Sequence, residues 1–309
     1  MSWAPLVEYK RKGISERVVY GAVAWVQGKN LIHSFGGDIT CYGRSLMKPY
    51  MLKVFTKELS GLSWEQKAIS VSSHNGSAFH RKIAQSLLTE DEQKMIQISS
   101  SFPLIPDSEV NRKTPWCNPC SGEHAAIVKG CLSKKWPVDS YMKQEGEFYK
   151  KYICGVKDVL GDIWSPVVTA EDGCGLPTET YSLSELGQLY SALAVRRSED
   201  WIWQAMHEHP ELIGGDGRLD TSILKISSNI LAKEGADGLL ALSIDQKCYE
   251  SGLGVVVKLA HGWDSEPMWF VAATLLKVLG FELEKPEESA LQQVDVNLSV
   301  LPESMRKLV

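Results

Sequence analysis

The sequence lacks any stretch that could cross a lipid bilayer, because its longest apolar run, Met268–Phe281, is too short and contains Lys277. It also lacks a basic stripe and an acidic tail, and its net charge is only −5. We therefore expect neither nucleic acid nor a membrane as a partner. Met1–Lys12 has no apolar segment of the secretory type, so we expect a cytoplasmic protein in which disulfides do not form.

Internal repeats, low-complexity blocks and a regular βαβ alternation are also missing, which argues against a repeat protein and against a parallel Rossmann-type sheet. The composition, 44% hydrophobic and 23% charged, is that of a globular protein. The length of 309 residues suits one large domain or two small ones.

Two hairpins frame a helical middle. Arg17–Val26 and Leu31–Phe35 flank a Gly-Lys-Asn turn, and Gly238–Ile244 and Gly252–Leu259 form a second apolar pair. We therefore predict an α+β fold, with a mostly antiparallel sheet built from N- and C-terminal hairpins, flanking helices and an inserted helical lobe. The whole chain, 1–309, is predicted to be one catalytic unit. Its sheet lobe covers about 1–44 plus 235–309, and its helical lobe about 45–234.

Two segments of the middle have ambiguous patterns. Ser63-Trp-Glu-Gln66 has the form of a helix-capping box, but Ala68–Ser72 after it reads as a strand. Thr221–Lys233 has helical periodicity.

A candidate nucleophile with its own base lies at Ser45 and Lys48. Residues three apart share one face of a helix, so the lysine can take the proton of the serine hydroxyl. Pro49 favours a helix start, where free amides could hold an oxyanion. Most Ser-x-x-Lys matches in proteins are accidents on solvated helices. This chain has three others, at Ser140–Lys143, Ser222–Lys225 and Ser304–Lys307.

A second Ser–Lys pair is suggested by Ser73-x-Asn75 and Lys258. Ser-x-Asn is the second element that accompanies Ser-x-x-Lys in β-lactamase-like enzymes, although a polar Ser-His-Asn-Gly segment can equally be a simple turn. Lys258 lies in a valine-rich strand, where it either faces a site or protects a sheet edge.

The seven cysteines include Cys117 and Cys120, which form a Cys-x-x-Cys pair, and Cys174. A redox pair is possible, but the thioredoxin-type setting is missing. A structural zinc site would need a second Cys-x-x-Cys. One cysteine from Cys117–His124, one from Asp172–Thr178 and a charged neighbour would instead bind zinc with one position open.

Taken together, these segments resemble the asparaginase II family, the Rhizobium-type L-asparaginases, from about residue 17 to about 281. The matching pieces occur in the order of the family; they are Gly21–Ala24, Arg44–Pro49, Ser73–Gly76, Cys120–His124, Asp172–Thr178, Lys233–Gly238 and Gly254–Gly262. The resemblance implies a serine β-lactamase/glutaminase-like fold, a homodimer, and hydrolysis of L-asparagine, a small-molecule amide, to L-aspartate and ammonia.

The resemblance also implies site residues. The catalytic pairs would be Ser45–Lys48 and Ser73–Lys258, with either serine as the nucleophile. The remaining candidates would bind substrate or zinc: Arg44, Asn75, His124 and Asp172 for the substrate, and Cys120, Cys174 and Glu123 for zinc.

Glu123 departs from the family pattern, which has lysine in Cys-Ser-Gly-Lys-His. A carboxylate remains a zinc ligand but adds negative charge. We expect it to weaken asparagine binding or to shift the preference to another amide, such as glutamine or a peptide-like amide. A non-enzymatic zinc-binding protein is the further alternative.

Overall fold

The computed structural model describes residues 3–262, 264–284 and 293–309. The chain divides into two compact units. Unit 1 comprises Met1–Cys41, Tyr181–Val195 and Lys225–Val309, and unit 2 comprises Tyr42–Thr180 and Arg196–Leu224.

The strands and helices follow one another along the chain as the hairpin–helices–hairpin pattern predicts. The strands are β1 (Ala4–Arg11), β2 (Ile14–Gln27), β3 (Asn30–Phe35), β4 (Thr40–Tyr42), β5 (Thr169–Glu171), β6 (Pro177–Ser182), β7 (Ile230–Gly235), β8 (Leu239–Ile244), β9 (Leu253–Leu259) and β10 (Gln293–Val296). The helices are α1 (Lys48–Lys53), α2 (Trp64–Ser70), α3 (Ala78–Gln85), α4 (Glu90–Gln93), α5 (Ser121–Lys134), α6 (Glu147–Leu160), α7 (Leu183–Val195), α8 (Ile202–Glu208), α9 (Leu219–Leu224) and α10 (Glu266–Val278).

Unit 1 is built on an antiparallel sheet with strand order β10-β1-β2-β9-β8-β7, and β3 also pairs with β2. Both predicted hairpins are present, as β2–β3 and β8–β9. Every residue of β8 and β9 is buried, because Leu and Val side chains on both faces of the strands are covered. The predicted α+β class with a mostly antiparallel sheet is confirmed.

Helix α7 packs on β2, β8 and β9 of this sheet. The approach is close because two glycines meet: a Cβ on Gly254 of β9 would lie 2.0 Å from Gly187 O of α7. Helix α7 and strand β7 lie in unit 1, whereas the sequence placed α7 and all but the last residue of β7 in the helical lobe.

Unit 2 holds helices α1–α6, α8 and α9, together with the short antiparallel pairing of β5 and β6. The strand-like reading of Ala68–Ser72 is wrong for its first part, because α2 continues to Ser70. Its start is fixed by a complete capping box, in which Gln66 N donates to Ser63 Oγ and Ser63 N donates to Gln66 Oε1.

The helix predicted over Thr221–Lys233 is also wrong beyond Leu224. Strand β7 begins at Ile230 and pairs along its length with β8, so sheet hydrogen bonding prevails over helical periodicity there. Within the described ranges, no helix has the length and apolar character needed to cross a membrane.

Candidate active site

Ser45 lies in a short 3₁₀ turn, Arg44–Met47, that leads directly into α1. Pro49 occupies the first turn of that helix, where a missing amide hydrogen costs nothing. Arg44 has a φ of +46°, a left-handed conformation that is strained for a residue with a side chain. Strain of this kind is typical of functional sites, and here it immediately precedes the candidate nucleophile.

The amides at this helix start are less free than the sequence suggested. Arg44 N donates to Thr178 Oγ1, and Leu46 N donates to Gly43 O. Neither amide is therefore available for an oxyanion in this conformation.

Lys48 is buried, with 2% of its side chain exposed, and its ammonium contacts three acceptors. Nζ donates to Ser72 O, lies 3.3 Å from Glu123 Oε2, and forms a hydrogen bond with Cys120. Burial lowers the pKa of Lys48, but Cys120 and Glu123 outweigh it, so the net shift is upward. The arrangement favours the charged form of Lys48.

The two cysteines of the predicted metal site are in hydrogen-bonding contact. This bond, from the thiol of Cys174, lowers the pKa of Cys120 to about 6 despite burial, and it raises the pKa of Cys174. Burial raises the pKa of Glu123 to about 8. Near neutral pH the cluster of Lys48, Cys120 and Glu123 therefore balances one ammonium against one thiolate, and the carboxyl group stays largely protonated.

The chemistry of these side chains suits zinc only in part. Two sulfur atoms are in contact, and Glu123 Oε1 is buried without a hydrogen-bond partner among the described residues. Nevertheless, no group of three or more His, Cys, Asp or Glu side chains in the described part of the chain is arranged to hold a metal ion. The Lys48 ammonium contacts two of the three predicted ligands instead. The arrangement does not fit a preformed three-ligand site, and zinc stays a prediction.

The Ser73–Gly76 segment has no regular secondary structure, yet all four of its amides and three of its carbonyls form hydrogen bonds. Its amides donate to Ile213 O, Pro119 O, Gly214 O and His74 Nδ1, and its carbonyls accept from Arg218, Leu104 N and Arg81. The hydroxyl of Ser73 is the exception, since it is buried and has no hydrogen-bond partner within the described ranges. A rigid segment thus presents one unused hydroxyl next to Ser72, whose carbonyl Lys48 contacts.

His74 is excluded as a base by its hydrogen bonds. Its Nδ1 accepts from Gly76 N, so Nε2 carries the proton and donates to Ser121 Oγ at 2.8 Å. Burial holds the pKa of His74 well below its ordinary value. The imidazole is therefore a neutral structural group.

His124, predicted to bind substrate, is fully buried. Its Nδ1 lies 2.8 Å from Tyr141 Oη, and burial, followed by Lys48, lowers its pKa to about 3. Asn75 is also buried, and its Oδ1 accepts from Ser77 N. The substrate-binding roles of His124 and Asn75 stay predictions.

Arg44 and Asp172 form an ion pair with an Nη2–Oδ1 distance of 2.8 Å. Both line a cavity of about 10 Å³, which has room for about one water molecule. The lining residues are Arg44, Ser45, Lys48, Met51, Cys120, Glu123, Asp172, Cys174, Leu176, Pro177 and Thr178. Ser45 reaches this cavity, so it is the serine better placed to meet a substrate.

Lys258 belongs to unit 1, where it lies in β9 and is 7% exposed as a residue. Its Nζ donates to Asp237 O at 2.6 Å and Leu259 O at 2.7 Å, and it lies 3.5 Å from Asp237 Oδ2. Its predicted pairing with Ser73 stays a prediction.

The sequence reading missed one part of the site, the Ile213–Arg218 segment that contacts Ser73 and Asn75. Three glycines within Ile-Gly-Gly-Asp-Gly-Arg signalled a tight turn or a close backbone approach. Its partner could not be read from the sequence, because the contact joins residues far apart along the chain.

Ser45 and Lys48 both line the cavity of unit 2, and a serine with a lysine nearby is a combination of residues that some hydrolases use. The family model for L-asparaginase II matches residues 7–301, and the chain therefore belongs to that family. Membership supports an amidohydrolase function of the asparaginase type. No curated protein matches the chain.

Proposed function

We propose that this chain hydrolyses L-asparagine to L-aspartate and ammonia through an acyl-enzyme on Ser45. The observation that carries the proposal is the convergence, within unit 2, of Ser45, Lys48 and the Ser72–Ser73 backbone on one buried cluster. The supports are the family membership and the strained Arg44 that precedes Ser45.

In the first step, Ser45 Oγ attacks the side-chain amide carbon while Lys48, in its amine form, accepts the hydroxyl proton. The C–N bond then breaks, and the leaving nitrogen takes that proton and departs as ammonia. A water molecule next attacks the ester carbon and gives one proton to Lys48, which returns it to Ser45 as the ester bond breaks. Because the present contacts favour the ammonium, substrate binding must displace one acceptor of Lys48.

Arg44 and Asp172 are the proposed partners of the substrate's carboxylate and ammonium, since each carries the complementary charge at the cavity. Ser73 and Lys258 are proposed to relay protons. The effect expected of Glu123 is smaller than the sequence suggested, because Lys48 lies beside it and burial favours its neutral form. Preference for another amide remains the alternative within the same reaction class.

The test is ammonia release from L-asparagine, L-glutamine and a peptide-like amide, with quenched-turnover mass spectrometry of wild type, Ser45→Ala and Ser73→Ala. We expect an acyl adduct on wild type and Ser73→Ala but none on Ser45→Ala. An adduct that disappears only in Ser73→Ala would transfer the nucleophilic role to Ser73. Absence of turnover with every amide would overturn the proposal.

A non-catalytic zinc-binding protein is the second candidate, and the contact between the sulfur atoms of Cys120 and Cys174 favours it. Metal analysis and the ammonia assay on one sample separate the two.

A homodimer and a cytoplasmic location are proposals that rest on the family resemblance and on the sequence. Light scattering of the purified chain tests the homodimer, and fluorescence microscopy of the tagged chain in cells tests the location.

A further inference from the structure

The Ile213–Arg218 segment holds the Ser73–Gly76 segment from one side. Ser73 N donates to Ile213 O at 2.8 Å, and Asn75 N donates to Gly214 O at 2.9 Å. Arg218 Nη1 completes the set by donating to Ser73 O at 3.3 Å. Two backbone hydrogen bonds and one side-chain hydrogen bond thus hold the backbone of Ser73 and Asn75 in place.

The holding segment is itself rigid. Thr221 Oγ1 accepts from both Gly214 N and Gly215 N and donates to Pro210 O. Gly215 has a φ of +112°, and a Cβ there would lie 2.2 Å from Asn75 Nδ2. Only glycine allows the two segments to come this close.

Arg218 is the one member of this set that acts through a charged side chain. A charge-assisted hydrogen bond to a carbonyl is stronger than a neutral one. Arg218 does not line the cavity at Ser45, and its hydrogen bond to Ser73 O links it to the Ser73–Gly76 segment. A change at Arg218 should therefore move Ser73 without removing a substrate contact.

We propose that Arg218 is a positioning residue that holds Ser73 in place for the reaction. This inference rests on the proposed function for its catalytic consequence. The structural part, that Arg218 fixes Ser73, stands on the hydrogen bonds alone.

The first experiment compares Arg218→Gln and Arg218→Lys with Arg112→Gln, a matched change at an exposed arginine of unit 2. We expect Arg218→Gln to lower kcat by about tenfold or more with little change in KM, because small displacements near reacting groups are costly. Arg218→Lys should recover most of kcat, and Arg112→Gln should match wild type. Unchanged kcat in Arg218→Gln would overturn the catalytic part.

The second experiment needs no turnover. In Ser73→Cys, the alkylation rate of the new thiol by iodoacetamide is followed by peptide mass spectrometry, with buried Cys131 as the internal reference. Adding Arg218→Gln should raise the rate at position 73 about fivefold or more while the rate at Cys131 stays constant, because local opening becomes easier. Equal alkylation rates at position 73 with and without Arg218→Gln would overturn the inference that Arg218 fixes Ser73.

The two results separate the possible failures. If wild type hydrolyses no amide but Arg218→Gln still raises the alkylation rate at position 73, the proposed function fails and the positioning role stands. If wild type is active and neither kcat nor alkylation responds to Arg218→Gln, the positioning role fails alone.

Discussion

At the scale of single residues, the ammonium of Lys48 contacts a carbonyl, a carboxyl group and the sulfur of Cys120. A buried charge that loses one of its partners is strongly destabilised, whereas removing both members of a pair can be nearly neutral. The structure therefore couples Lys48 and Glu123 energetically.

The first prediction is a double-mutant cycle in the free energy of unfolding. Lys48→Met and Glu123→Met should each destabilise the protein, because each removes one polar member of the buried contact, and the double variant should lose about 1–3 kcal/mol less than the sum of the two. Urea unfolding of the four metal-free proteins measures this coupling. Additive losses would mean that the 3.3 Å contact is not energetically significant.

The second prediction concerns zinc. Because the Lys48 ammonium contacts two predicted ligands, Cys120 and Glu123, it should compete with a divalent cation, and Lys48→Met should bind zinc at least about tenfold more tightly than wild type. Competition with a chromophoric chelator measures the affinity. The control is Lys53→Met in the same helix, whose amine pairs with Asp200. Equal affinities for all three proteins would contradict the competition.

At the scale of elements, the contact between α2 and α5 positions the cysteine-bearing end of α5. Gly122 follows Cys120 closely, and a Cβ on it would lie 2.1 Å from Ile69 O. The helices meet backbone to backbone here, and any side chain would push them apart.

The third prediction follows from this contact. Gly122→Ala should lower the free energy of unfolding by about 2 kcal/mol or more, even though alanine favours helices, because α5 must shift away from Ile69. Gly155→Ala in α6 is the control: its Cβ would meet no atom within 4 Å, so a gain of up to about 1 kcal/mol is expected. Urea unfolding of both variants checks the pair. A neutral Gly122→Ala would show that the helices can separate freely.

Elements with a strong local signal could be predicted from the sequence. The apolar strands β8 and β9 and the hairpin β2–β3 are examples, because alternating and valine-rich runs around turns have few other solutions. The region after Leu224 could not, since β7 is selected by pairing with β8 and not by its own periodicity.

The candidate site also contains residues that the sequence could indicate and contacts that it could not. Ser45 and Lys48 could be predicted as a pair because they lie three residues apart along the chain. The contacts of Lys48 with Ser72, Cys120 and Glu123 join segments that are distant in sequence, so their geometry could not be predicted. The same holds for Arg218, whose glycine-rich neighbourhood predicts a turn but not the residue it holds.

For the whole molecule, the buried histidines make stability depend on pH. Burial lowers the pKa of His74 far below its ordinary 6.5, so the unfolded chain binds a proton there that the folded chain does not. This contribution is fully present above about pH 6.5 and is lost as the pH falls further. His80 and His124 act in the same direction, because burial also lowers their pKa.

The fourth prediction is therefore a loss of stability in mild acid. Between pH 7.5 and pH 5, His74 should account for about 2 kcal/mol of the fall in the free energy of unfolding. His74→Asn should reduce the fall by that amount, because asparagine binds no proton in either the folded or the unfolded state. Urea unfolding at the two pH values tests this, and equal falls in wild type and His74→Asn would contradict it.

The cavity beside Ser45 has room for about one water molecule, so the proposed hydrolysis of an amino acid amide would need a wider form of this cavity. Under the proposed function, the substrate would then bind to a minor population of molecules in which the cavity is open. The observed dissociation constant equals the intrinsic one divided by the fraction of molecules that are open. The apparent affinity for the substrate would thus depend on the fraction of open molecules as much as on the contacts made with the substrate. A substitution that favours the open form could raise the apparent affinity without adding a contact.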